Sequence, residues 1–117
     1  MDQYALIMRH EDGGKIASPE QMEMWMKQTM EWIGNIAAKN KFVGGTGLPF
    51  DGARVVKHNG IITNGPFGEI KETIGGFITV KADSIEEAVE FAKGCPVLQG
   101  EGNSVEVRRI AQSDGTH

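Results

Sequence analysis

The sequence predicts an α+β domain whose elements follow in βαββαβ order, with an extra hairpin inserted in the middle. Three observations carry that prediction. Short apolar runs of strand character open and close the chain. Two segments combine a helix cap with apolar residues at three- and four-residue steps. An Asn-Gly pair lies between two β-branched runs.

Gln3–Arg9 (QYALIMR) is apolar on both faces, with Tyr4, Leu6 and Met8 on one and Ala5 and Ile7 on the other, the pattern of a central strand covered twice. After the polar stretch HEDGGKIA, Ser18-Pro19-Glu20-Gln21 places a hydroxyl at an N-cap, proline at the first helical position and glutamine at the third. The helix is predicted to run to about Lys41, with Met22, Trp25, Met26, Thr29, Met30, Ile33 and Ala37 as its core stripe. Met24 and Trp32 fall off that stripe and form a second apolar patch, suited to a subunit interface or a pocket wall.

Phe42–Leu48 (FVGGTGL) reads as a Gly-rich strand, whose glycines allow a bulge, curvature or the close approach of a ligand or neighbouring chain. After the Pro49–Gly52 turn, Ala53–His58 pairs with Ile61–Thr63 across a two-residue Asn59-Gly60 turn. Asn64–Gly68 break the strand, and Thr73–Lys81 alternates as another. Ser84 as N-cap with Glu87 at the third helical position opens a second helix; Ile85, Ala88, Val89 and Ala92 form its apolar face, and Gly94 and Pro96 end it. In Ser104–Ile110, Val105 and Val107 face one side and Glu106 and Arg108 the other. Residues 1–112 make one domain on this reading and 113–117 a frayed tail. Helices on one sheet face leave the other to be buried by a second copy across a two-fold axis, so a homodimer is expected.

Composition narrows the function classes. The 117 residues suit one domain, and 39% hydrophobic with 24% charged residues is a globular balance. A net charge of −4, with Arg108-Arg109 the only adjacent basic pair, argues against nucleic-acid binding, which needs clustered Lys and Arg. No apolar run approaches the ~20 residues that cross a bilayer, and the N-terminus lacks a charged-then-apolar leader, so no membrane contact and a cytoplasmic location are expected. Cys95 is the only cysteine, which rules out an intrachain disulfide and suggests buried filler. Gly44–Gly47 lacks the Lys-Ser/Thr and following helix of a phosphate loop. The three histidines lack the spacing of a prearranged metal face, and no cofactor is expected.

The string NGPFGEIKETIGGF, followed by DSIEEAVEFA and SVEVRRI, resembles the DGPF pattern of the YCII-related family. The opening YALIM and the SPEQM helix start resemble it too, so the similarity covers nearly the whole chain. The resemblance implies a dimeric α/β barrel of ferredoxin-like subunits with a cleft beside the sheet. In a better-studied branch of that family, a His in the first turn of the long helix and an Asp near the later loop have been proposed as an acid/base pair. Here the corresponding positions are Gln21 and Asn64, and an amide does not transfer protons as imidazole or carboxylate does.

His10, at the end of the first strand and before Glu11 and Asp12, is the best-placed histidine for proton transfer, and Glu69 is its candidate partner. Arg9, Asn64, Gly65, Pro66, Phe67 and Lys71 are candidate ligand-binding residues, because a Gly-Pro turn can expose backbone N–H groups beside a cation. The same NGPF string also reads as a tight structural turn with Phe67 filling an apolar gap. Two function readings follow: a homodimeric module that binds a small polar metabolite or a regulatory protein partner, or a small cofactor-independent enzyme of lyase, isomerase or oxygenase-like type, the latter by fold analogy.

Overall fold

The computed structural model describes residues 1–11, 18–49, 53–63 and 73–111. The NGPF string, Glu69, Lys71 and the 113–117 tail lie outside the described residues. The elements are β1 (Asp2–His10), α1 (Pro19–Ala38), β2 (Phe42–Gly47), β3 (Val55–Val56), β4 (Ile62–Thr63), β5 (Thr73–Ala82), α2 (Ile85–Lys93) and β6 (Ser104–Arg109). Four strands form one antiparallel sheet in the order β2-β5-β1-β6, and β3 and β4 pair separately. With that hairpin set aside, the order of elements and strands is compatible with a ferredoxin-like arrangement.

β1 is an interior strand, as its two-sided apolar pattern predicts. Leu6 lies opposite Ile78 on one side and Val107 on the other. Tyr4, Leu6, Ile78, Val80 and Ala82 share one face and are buried with Trp32 and Ile36 of α1, Ala88 and Ala92 of α2, and Cys95. Both helices therefore cover the same face. Burial pushes the Cys95 thiol pKa up, in keeping with a filler role.

Ser18 caps α1 as expected, its hydroxyl accepting from the Gln21 N–H at 3.1 Å. The helix ends at Ala38 rather than Lys41. Asn40 turns left-handed at φ 60°, its N–H reaching the Ala37 carbonyl while the Lys41 N–H reaches that of Ile36, a Schellman termination.

The expected core stripe is not the buried one. Met22, Met26 and Met30 are exposed, whereas Trp32 and Ile36 are buried, with Thr29 and Ile33 half-buried. The buried row is turned roughly 100° around the helix from the methionine row. Both rows have helical spacing, so periodicity alone does not choose between them. Trp32 wins because its polar N–H finds an acceptor there: it donates to the Phe91 carbonyl at 2.8 Å.

In α2 the Ser84 hydroxyl accepts from the Glu87 N–H, and Glu87 in turn accepts from the Asp83 N–H and from Lys41 Nζ at 2.6 Å. Ala88 and Ala92 are buried but Ile85 and Val89 are exposed, since the small residues let the helix sit close on the sheet. The β3–β4 turn differs from the expected two-residue form. The Lys57 N–H bonds the Ile61 carbonyl, enclosing His58, Asn59 and Gly60, with Asn59 at φ 69° and Gly60 at φ 78°. Two successive left-handed residues take up the extra position.

Candidate functional site at the His10 end of the sheet

β1 carries Arg9 and His10 at its C-terminal end, where it lies between the starts of β5 and β6. His10 is opposite Thr73, and Arg9 is opposite Ile74 on one side and Ser104 on the other. Gly75 is the extra residue of a bulge in β5, between the partners of Met8 and Arg9.

Strand alternation sends Arg9 and His10 to opposite faces. Arg9 shares the open face with Ala5, Ile7, Phe77 and Thr79. There its Nε and Nη2 contact Glu106 Oε1 at 3.0 and 2.9 Å, and Arg108 lies 3.7 Å from the other carboxylate oxygen. His10 shares the helix-side parity of Leu6 and Met8, is half-buried, and has its pKa lowered by desolvation. The two candidates therefore do not form one cluster on a single face.

The rim beside His10 is held by Asn103. Its Oδ1 accepts from the Glu11 N–H at 3.0 Å and its Nδ2 donates to the Val97 carbonyl at 3.1 Å, joining the end of β1 to the 3-10 turn Pro96–Gln99. Gly102, at φ 87°, packs against the Glu11 side chain, where any Cβ would collide with the carboxylate.

Asn103 and Glu106 were not among the residues singled out from the sequence. The parity of β6 groups Glu106 with Arg108, but only the β1–β6 register, with Glu106 opposite Ile7, brings the Glu106 carboxylate within reach of Arg9. The candidates Asn64, Gly65, Pro66, Phe67, Glu69 and Lys71 lie outside the described residues; in sequence, their segment leads into β5 at Thr73, the partner of His10. Gln21 sits exposed in the first turn of α1.

Chemically, a half-buried imidazole biased toward its neutral form can accept a proton or a hydrogen bond near neutral pH. Among the described residues, no group of three His, Cys, Asp or Glu side chains is placed to hold a metal ion. A separate shallow groove of about 150 Å³ lies between the helices, lined by Trp32, Asn35, Ile36, Lys39, Glu90 and Phe91 with Gly94. It sits toward the end of α1 that leads into β2, away from His10.

A family profile for the YCII-related domain matches residues 3–112. The chain belongs to the YCII-related family. An uncharacterised protein of Rhizobium meliloti (strain 1021) is 33% identical over 67 residues, covering 55% of this chain and 54% of that protein. The chain thus matches about half the length of that relative, whose name assigns no activity. In this YCII-related domain the site has to be read from its own side chains. No described helix is long and apolar enough to cross a membrane.

Proposed function

We propose that this YCII-related domain acts as a homodimer, of dimeric α/β barrel type, that binds a small polar or anionic ligand at the His10 end of its sheet. The observation that carries this reading is the half-buried His10 at a strand end whose rim is fixed by the Glu11–Asn103 bond. Partial burial favours a neutral imidazole that can pair with a ligand proton, and the fixed rim lowers the ordering cost of binding. Lys71 supplies positive charge on this reading and Asn64 an amide, both from the segment that leads in sequence into β5 at Thr73, while Arg9 stays on the open face with Glu106.

The open sheet face supports the dimer. Ile74 and Phe77 are exposed there, and the Arg9–Glu106–Arg108 group provides charges of both signs that a two-fold axis can pair with their own copies. Native mass spectrometry of freshly purified protein tests both parts together. A dimer with a stoichiometric adduct that His10→Ala loses is the expected result. A stable monomer overturns the dimer, and an adduct equally retained by His10→Ala overturns the site.

The neutral bias of His10 also favours a second reading, in which the bound molecule is deprotonated by the imidazole, with Glu69 as the complementary acid or base. Turnover of a bound ligand that survives His10→Gln would exclude it.

A further inference from the structure

β1 and β6 pair as far as Arg9 opposite Ser104, one residue short of His10. On the other side the pairing with β5 runs on to Thr73, opposite His10. Beyond the last β6 pair the strand is held by a side chain: Asn103 Oδ1 accepts the Glu11 N–H at 3.0 Å. His10 is thus bracketed on the β6 side by a backbone pair before it and an amide bond after it. Without that amide, the strand pairing of β1 to β6 stops at Arg9, ahead of the imidazole.

The residues Gly100–Asn103 are shaped around the Asn103 side chain. The Asn103 N–H donates to the Gly100 carbonyl at 3.1 Å, and its Nδ2 donates to the Val97 carbonyl at 3.1 Å. Donor and acceptor ends of the amide are both committed, one to the Pro96–Gln99 turn and the other to β1. Gly100 has no room for a Cβ, which would strike Asn103 Nδ2. Gly102, at φ 87°, has none either, because a Cβ there would strike the Glu11 carboxylate. Two glycines and one asparagine in four positions therefore serve a single arrangement.

Fold stability does not account for it. The bond to Glu11 lies at the surface, where water competes for both partners and the net gain is small. What the arrangement fixes is the backbone of the residue next to His10.

We propose that Asn103 is a positioning residue of the ligand site: through the Glu11 backbone it holds the end of β1, so that the His10 imidazole keeps its half-buried seat. This rests on the ligand-site reading above and adds to it a residue that acts through another. Asparagine suits the task because the position asks for an acceptor toward β1 and a donor toward the Pro96–Gln99 turn at once. Gly102 belongs to the same device, since it gives the Glu11 side chain its place against the loop.

The test follows the imidazole C–H resonances of His10 by NMR in the full chain, assigned by their loss in His10→Gln. In the wild type they titrate below the ordinary value of 6.5. In Asn103→Ala the midpoint is expected to move up toward that value as the seat loosens and the ring gains water, while the backbone amide spectrum of Tyr4–Met8 stays as it was. Gly102→Ala, which leaves the Asn103 side chain in place and displaces Glu11, is expected to do the same. An unmoved His10 titration in both variants overturns the proposal. Native mass spectrometry of the same samples keeps the two readings apart. An adduct on the wild type that both variants lose supports the positioning role, and an adduct that both retain in full overturns it. A wild type with no adduct, whose His10 titration still follows Asn103, overturns the ligand reading and leaves Asn103 as a clasp on the strand alone.

Discussion

Trp32 of α1 donates its indole N–H to the carbonyl of Phe91 in α2 at 2.8 Å, tying the two helices together above the sheet. The ring is 7% exposed and packs against Gly94, where an added Cβ would lie 3.2 Å from its Cδ1. Trp32→Phe keeps much of the packing and loses the bond, so urea denaturation should show a loss of about 1–2 kcal/mol. Trp32→Ala also leaves a cavity and should cost about 3–5 kcal/mol. Equal losses for both would mean that the hydrogen bond, not the ring, dominates.

His10 gives stability a pH dependence whose sign follows from its lowered native pKa. Above the ordinary value of 6.5 the imidazole is neutral in both states, and its contribution is fully present. As pH falls below that value the unfolded chain takes up the proton first, so stability declines until the native pKa is passed. Unfolding midpoints measured from about pH 7.5 to about pH 5 should fall for the wild type and flatten in His10→Gln. A rise on acidification would reverse the assigned shift.

Glu87 acts in a separate, lower window. The hydrogen bond from Lys41 is the largest cause of its lowered pKa, followed by the bond from the Asp83 backbone N–H. Its contribution is therefore present above the unfolded value and lost as pH falls through the native one. Glu87→Gln should lower the thermal midpoint at neutral pH, and the difference should close as pH falls below the ordinary value of 4.5 and on through the lowered native one, where both side chains are uncharged.

Two glycines should respond in opposite directions to alanine. Gly34, inside α1 with open space around its Cβ position, should gain about 0.5–1 kcal/mol on Gly34→Ala. Gly76, at φ 149° with the Thr46 carbonyl 2.7 Å from a Cβ, should lose about 2 kcal/mol or more. Differential scanning calorimetry of the two variants checks both signs.

The local grammar of the chain was legible before its three-dimensional arrangement. Ser18 and Ser84 cap the two helices as their side chains dictate, because capping is a contact between residues three apart. The alternation of Val105 and Val107 with Glu106 and Arg108 named the two faces of β6, and the apolar faces of β1 placed it inside the sheet. These properties depend on neighbours within a few positions, and the sequence holds those neighbours in order.

Longer-range choices belonged to the tertiary structure. Which of two overlapping apolar rows on α1 is buried was settled by the Phe91 carbonyl, a group 59 residues away from Trp32. Arg9 and His10, adjacent in sequence and grouped as one site, were parted by the pleat of β1, Arg9 going to an ion pair with Glu106 on β6 and His10 to the place opposite Thr73 on β5. Asn103 became the clasp on Glu11 only when β1 and β6 lay side by side. Pairings between residues so far apart follow from sheet order and helix placement, which are free-energy minima of the whole chain and are not written in any one segment.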